Sequence, residues 1–117
     1  VTQPPVKFLR PDDLDWKRVD VYGAAMDKAV VFEGAHDVRS AFFRMAAGCT
    51  IESHTHTKWV QVMVLEGCMR VTQENAEPFR APGGSVYFVN PGCAHVETAE
   101  VDSLLLVTQG EDRPGWR

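Results

Sequence analysis

The residues that punctuate this chain constrain its fold more than any other feature. Gly34, Gly48, Gly67, Asn75, Pro82-Gly83-Gly84, Asn90-Pro91-Gly92 and Gly110 recur along it, and the segments between them are short runs rich in Val, Phe, Thr and Leu. Short runs of β-branched and aromatic residues, cut by residues that favour turns, form strands and not helices. Strands are expected at Ala29–Glu33, Val38–Ala46, His56–Glu66, Cys68–Gln73, Ser85–Val89, Ala94–Ala99 and Ser103–Gln109. Pro11–Lys17 offers a helical start with acidic residues in its first turn, and reads equally as a loop. Many short strands at turn spacings of about 8–12 residues give an all-β antiparallel sandwich or small barrel. The arms Val1–Trp16 and Pro114–Arg117 are expected to be extended and packed outside it.

The 117 residues suit one domain, spanning 1–117. A chain of this size buries roughly two thirds of its unfolded surface, enough for a core without disulfide or metal staples. Charge narrows the partners. Lys+Arg 12 against Asp+Glu 16 gives a net charge of −4, with no basic block. Nucleic acid and anionic membranes need clustered cations to neutralise phosphate, so a small-molecule ligand is the expected partner. Cys49, Cys68 and Cys93 are odd in number and widely spaced, which fits a reducing, cytoplasmic setting better than a disulfide framework. No secretory signal is visible in the first residues, and the longest apolar stretches, Val62–Leu65 and Leu104–Val107, are too short to span a bilayer.

Chemistry concentrates in the histidines. His54 and His56 flank Thr55 where a turn feeds an expected strand. On a strand, residues i and i+2 share a face about 6.6–6.8 Å apart, from which two imidazoles can converge on one metal. His95 follows a second tight turn, Asn90-Pro91-Gly92, and His36 sits in a polar turn where it is expected to be solvated. A His-x-His pair alone is a weak signal. Its surroundings strengthen it: Gly48 stands six residues before His54, Gly67 eleven after His56, and His95 eleven after Gly84.

Those residues resemble the two signature motifs of the cupin superfamily. The first reads GCTIESHTHTKWVQVMVLEG, from Gly48 to Gly67; the second reads GSVYFVNPGCAH, from Gly84 to His95, with Asn90 at the usual proline position and Pro91 one place later. The resemblance implies a double-stranded β-helix, the cupin or jelly-roll barrel, with His54, His56 and His95 as metal ligands. One departure stands out. The family's metal-binding glutamate position is occupied by Val60. Alternation from His56 places Lys58, Val60 and Val62 inside and Gln61 outside, and only a bulge would turn Gln61 inward. The pattern is closest to three-histidine cupins without the glutamate, among them relatives of diketone-cleaving and dihydroxyacetophenone dioxygenases.

Three neutral ligands leave a divalent ion with its full charge and open positions, suited to an enolate or another bidentate oxygen ligand. Imidazole ligation suits Fe, Ni, Cu, Zn and, less strongly, Mn. Glu97, two residues after His95, shares the inward face, where it can serve as a general base or orient a ligand histidine; the plainer reading is a rim carboxylate in water. Lys58 can meet an anionic substrate at the mouth or simply be solvated. Phe43, Met45, Val62, Val64, Phe88 and Leu105 read as core, and Cys49 and Cys93 as small buried filler. The functions implied are an Fe(II)-type dioxygenase cleaving a diketone or hydroxyketone, a non-oxidative metal-dependent isomerase or lyase, or a non-catalytic small-ligand or zinc sensor. Cupins of this size are often dimers, and an exposed barrel edge needs cover, so a homodimer is expected.

Overall fold

The computed structural model describes residues 6–111. Within them lie a 3₁₀ turn at Pro11–Asp13 and strands β1 (Lys17–Val21), β2 (Ala24–Ala35), β3 (Val38–Met45), β4 (Thr50–His54), β5 (Val60–Glu66), β6 (Cys68–Gln73), β7 (Ala76–Pro82), β8 (Val86–Val89), β9 (His95–Ala99) and β10 (Ser103–Gly110). They form a six-stranded sheet in the order β1-β2-β3-β10-β5-β8 and a four-stranded sheet in the order β4-β9-β6-β7. Each strand pair is antiparallel. This is the jelly-roll architecture of the cupins, as the glycine and histidine motifs imply.

Two-residue periodicity decides which side chains make the core. Along β5, Val60, Val62 and Val64 are buried while Gln61 and Met63 face out. Met26, Met45, Val62, Val64, Tyr87 and Leu105 from the larger sheet meet Ile51, Met69, Val71, Ala81 and Ala99 from the smaller one. Phe88 departs from expectation. It lies outside, 53% exposed, stacked on Trp59 with ring centroids 5.9 Å apart, because Tyr87 and Val89 take the inward positions of β8.

Two hairpins begin the barrel, one of them unexpected, between β1 and β2, and the other at the polar turn expected around His36. Tyr22 and Gly23 (φ 45° and 87°) join β1 to β2, and His36 and Asp37 (φ 60° and 56°) join β2 to β3. Paired positive φ values are the signature of type I′ turns, whose twist suits adjacent strands. His36 is exposed in its turn. Gly67 closes another hairpin at φ 95°, where a Cβ would sit 2.5 Å from the Asp102 carbonyl oxygen; only glycine fits there.

The structure also moves boundaries. β1, β4 and β7 lie where no strand was expected, β2 starts at Ala24 and not Ala29, and the strand expected from His56 begins at Val60. Of the segment Pro11–Lys17, only Pro11–Asp13 turns, tied back by the Trp16 indole donating to the Pro11 carbonyl at 2.7 Å. Arg44 holds this segment outside the barrel, 3.2 Å from Asp12 and stacked on the Trp16 ring at 4.0 Å. The outermost parts of both expected arms lie outside the described residues. No helix among the described residues is long and apolar enough to cross a membrane.

Candidate metal centre

β4 and β9 pair in the smaller sheet, and their register is what brings the histidines together. Ile51 pairs with Glu97, but His54 pairs with His95, so three steps along β4 match two along β9. The extra residue is a β-bulge, and it lets Ile51 and His54 both face inward although an odd spacing separates them. β4 ends at His54, so His56 stands in the following loop and not on the same strand face as expected. That loop is tied to the Asn90-Pro91-Gly92 turn by the Gly92 amide, which donates to the His56 carbonyl at 2.9 Å.

The three rings converge all the same. Centroids are 4.7 Å apart for His54 and His56, 4.3 Å for His54 and His95, and 5.8 Å for His56 and His95. One ring nitrogen from each lies within 4.8 Å of the others. His54 Nδ1 is 2.7 Å from the Glu52 carbonyl and His95 Nδ1 is 3.0 Å from the Cys93 carbonyl. A carbonyl only accepts, so each Nδ1 carries a proton and Nε2 is the atom open to a metal, once His95 has released the Nε2 proton that it shares with Glu97 in the metal-free protein. Imidazole nitrogens held in this way, buried for His54 and His95 and half-buried for His56, fit a divalent transition ion. The cysteines do not join the cluster.

Glu97 is buried beside them. Its Oε1 lies 3.2 Å from His95 Nε2, and its Oε2 accepts a hydrogen bond from the Tyr87 hydroxyl at 2.5 Å. Burial pushes the Glu97 carboxyl up, but the hydrogen bonds from His95 and Tyr87 outweigh it and hold the group below its ordinary value. His95 is correspondingly raised, by its bond to Glu97 against the opposing effect of burial. Burial first, and then the neighbouring carboxylate, push the Tyr87 phenol up. Tyr87 therefore stays a proton donor to Glu97.

Two spaces have His56 on their walls. A small chamber of about 70 Å³ is walled by Met26, Phe43, Val60, Val62 and Leu105, with His54, His56 and Glu97 facing into it. A larger cavity of about 440 Å³ shares Val21, Phe43, His56, Val107 and Gln109 with it and adds Lys28, Arg39 and Ser40. Val60 thus stands on the chamber wall with His54 and His56, while Gln61 is exposed on the other face. Lys58 lines neither space; its side chain packs on Gly110, where an added Cβ would come within 2.7 Å of it.

Two residues that the motifs did not nominate complete the site. Tyr22 lies on His54 with the rings 13° from parallel and centroids 4.2 Å apart, and Tyr87 holds Glu97. Tyr87 was legible in principle from the alternation of Ser85–Val89; Tyr22 depends on the β1–β2 hairpin and was not.

A jelly roll with converging imidazoles at one end of its interior defines a cupin. The family model described as the ChrR Cupin-like domain matches residues 6–112, and the chain belongs to that family. Among solved structures, KdgF from Halomonas sp. is 22% identical with a TM-score of 0.76, covering 92% of this chain and 96% of that one. The polyketide cyclase RemF from Streptomyces resistomycificus is 20% identical with a TM-score of 0.81, covering 93% and 82%. A predicted oxalate decarboxylase from Thermotoga maritima is 16% identical with a TM-score of 0.79, covering 91% and 100%. At these identities the likeness is one of fold, and the varied names show that fold does not select the chemistry. No match stands among the curated proteins.

Proposed function

We propose that the chain is a single cupin unit that holds a divalent transition metal on His54, His56 and His95 and acts on a small oxygen-chelating molecule. The concrete form is an Fe(II)-dependent dioxygenase that cleaves a diketone or hydroxyketone. The observation that carries the reading is the convergence of three imidazole nitrogens within 4.8 Å of one another beside an apolar chamber where Val60 replaces a carboxylate. A metal bound there supplies Lewis-acid polarisation of chelating oxygens and, as Fe(II), a redox couple for O₂ chemistry. The remaining work falls to this chain's own groups. Met26, Phe43, Val60, Val62 and Leu105 exclude water from the reacting end of the ligand. Glu97 Oε1 accepts the α-proton of the diketone as it becomes an enolate, while the Tyr87 hydroxyl on Oε2 fixes the carboxylate's orientation. Without O₂ the same proton transfer is the first half of an isomerisation or lyase reaction.

Metal analysis of the isolated protein comes first, then anaerobic loading with Fe(II) and O₂ uptake with acetylacetone-type and hydroxyacetophenone-type compounds. Uptake dependent on His95 supports the dioxygenase. Proton exchange at the diketone carbon without uptake identifies the non-oxidative reaction, and tightly held zinc with neither identifies a sensor. Ni, Cu and Mn are compared by reconstitution. The reading includes a cytoplasmic setting, supported by three thiols free of disulfides. It also includes a homodimer, supported by Met63, Val86 and Phe88 exposed beside the edge strand β8. Light scattering should give twice the 13.0 kDa chain mass; the chain mass itself would refute the dimer.

A further inference from the structure

We infer that Lys28 recognises a carboxylate on the molecule that enters this site, so that the substrate is an anionic oxygen chelator and not a neutral one. This rests on the metal reading above. Lys28 lies on β2 opposite Phe43 of β3, lines the same cavity as His56, and is half-buried. Its ammonium has a weak use, 5.9 Å from the Phe43 ring centroid, near the outer limit for a cation–π contact. No carboxylate lies within ion-pair distance of it among the described residues. Arg39, the other cation of the cavity, is already committed: it faces the buried Glu111 carboxylate at 3.6 Å. Asp20 and Glu33 also line the cavity but are exposed to water.

The strand register adds an independent observation. Lys28 stands directly opposite Lys17 on β1. Lys17 has its own partner in Asp15 at 3.8 Å and Lys28 has no carboxylate among the described residues, so of the two facing ammoniums it is Lys28 that an incoming anion would neutralise. One uncommitted ammonium in a chain of net charge −4 matches a singly charged carboxylate better than a phosphate dianion. The apolar chamber at the histidines and the cation in the outer cavity therefore describe a bipolar ligand, with carbonyl oxygens at the inner end and a carboxylate at the outer end.

The test uses zinc-loaded protein, which binds without redox turnover, and a matched pair of probes: succinylacetone, a diketone ending in a carboxylate, and the same diketone ending in a methyl group. Calorimetry should show the wild type binding the carboxylate about tenfold more tightly, the scale of one charge-assisted hydrogen bond at a partly wet site. Lys28→Met should abolish that preference and leave the methyl compound unaffected, while Lys28→Arg should keep it. Added salt should weaken the anion alone. Equal affinities in the wild type, a preference that survives Lys28→Met, or stronger Lys28-dependent competition by inorganic phosphate than by acetate would each overturn the assignment. Failure to take up zinc at all would instead overturn the metal centre beneath it.

Discussion

The two strands that carry the histidines solve the same problem differently. β9 is regular: its burial alternates without interruption, so His95, Glu97 and Ala99 all point inward by periodicity alone. β4 is irregular: a bulge re-aims His54 at its last residue, and His56 follows in a loop. One side of the centre is therefore fixed by a sheet on both edges, since β9 lies between β4 and β6, and the other by turn geometry and by contact with Tyr22. A buried, two-sided strand holds its ligand rigidly, whereas a loop ligand can give way and let water take its place.

The largest expected effect follows from that difference. His95→Ala should lower zinc affinity by more than ~100-fold, beyond the range measured for disturbing groups behind a ligand. His56→Ala should cost about tenfold less than that, because its half-buried position admits a replacing water. Chelator-competition titration measures both, with circular dichroism confirming that the β structure persists. Equal losses would break the comparison, and undiminished binding in His95→Ala would remove that residue from the site.

Next in size is Glu97→Gln, which keeps the shape and removes the charge. Glu97 lies beside the ligating nitrogen itself, so losing its charge removes an anion from next to the bound ion and should weaken zinc binding about tenfold. In metal-free protein the same pair sets a pH window. Raised His95 contributes stability that is full below the ordinary imidazole value of 6.5 and is lost as pH rises through its folded value. Lowered Glu97 contributes stability that is full above the ordinary value of 4.5 and is lost as pH falls through its folded value. Both contributions are complete between those two values, so Tm should fall on either side of that window, and Glu97→Gln should flatten those two flanks. A wild-type profile that stays flat would show that the pair does not couple.

Val60→Glu tests the wall opposite. In chelator it places a carboxylate at a site only 6% exposed and should cost ~2 kcal/mol in urea unfolding. With zinc the cost should vanish and affinity should rise as a charged ligand joins the imidazoles, while any O₂-dependent turnover falls. Unchanged zinc affinity would mean that position 60 does not face the metal.

These sites differ in how much of them a sequence can carry. Strict alternation placed Glu97 beside His95, because β9 runs without a break across both; Val60 also faces inward as expected, although β5 starts there and not at His56, and Lys58, placed inside by the same count, lines neither space. The same rule failed at His54 and His56, where the sequence Thr50–His54 does not announce which residue is the extra one; the bulge arises from pairing with β9, which no local pattern encodes. Phe88 failed for a related reason. Tyr87 and Phe88 are both aromatic neighbours, and the register of β8 on β5 sets Tyr87 opposite buried Val62 and Phe88 opposite exposed Gln61, with the Tyr87 hydroxyl partnered by Glu97 inside. The hairpin turn Tyr22-Gly23 stayed hidden because its first residue is an unusual one for a left-handed position.

That unusual residue gives the smallest prediction and the one with opposite signs. Tyr22 adopts φ 45°, which asparagine tolerates better than a bulky aromatic, and Asn-Gly is the favoured type I′ pair. Tyr22→Asn should therefore stabilise the metal-free protein by roughly 0.5 kcal/mol. It should also remove the ring lying 4.2 Å from His54 and so loosen the less regular side of the centre. Stacking contacts of this kind are worth about 0.5–1.5 kcal/mol, which sets the expected loss of zinc affinity at ~threefold. Thermal unfolding in chelator reads the first effect and zinc competition the second. A gain in stability with unaltered zinc affinity would show that Tyr22 serves the hairpin alone, and that the β4 side of the centre is held by its backbone without help from the aromatic ring above it.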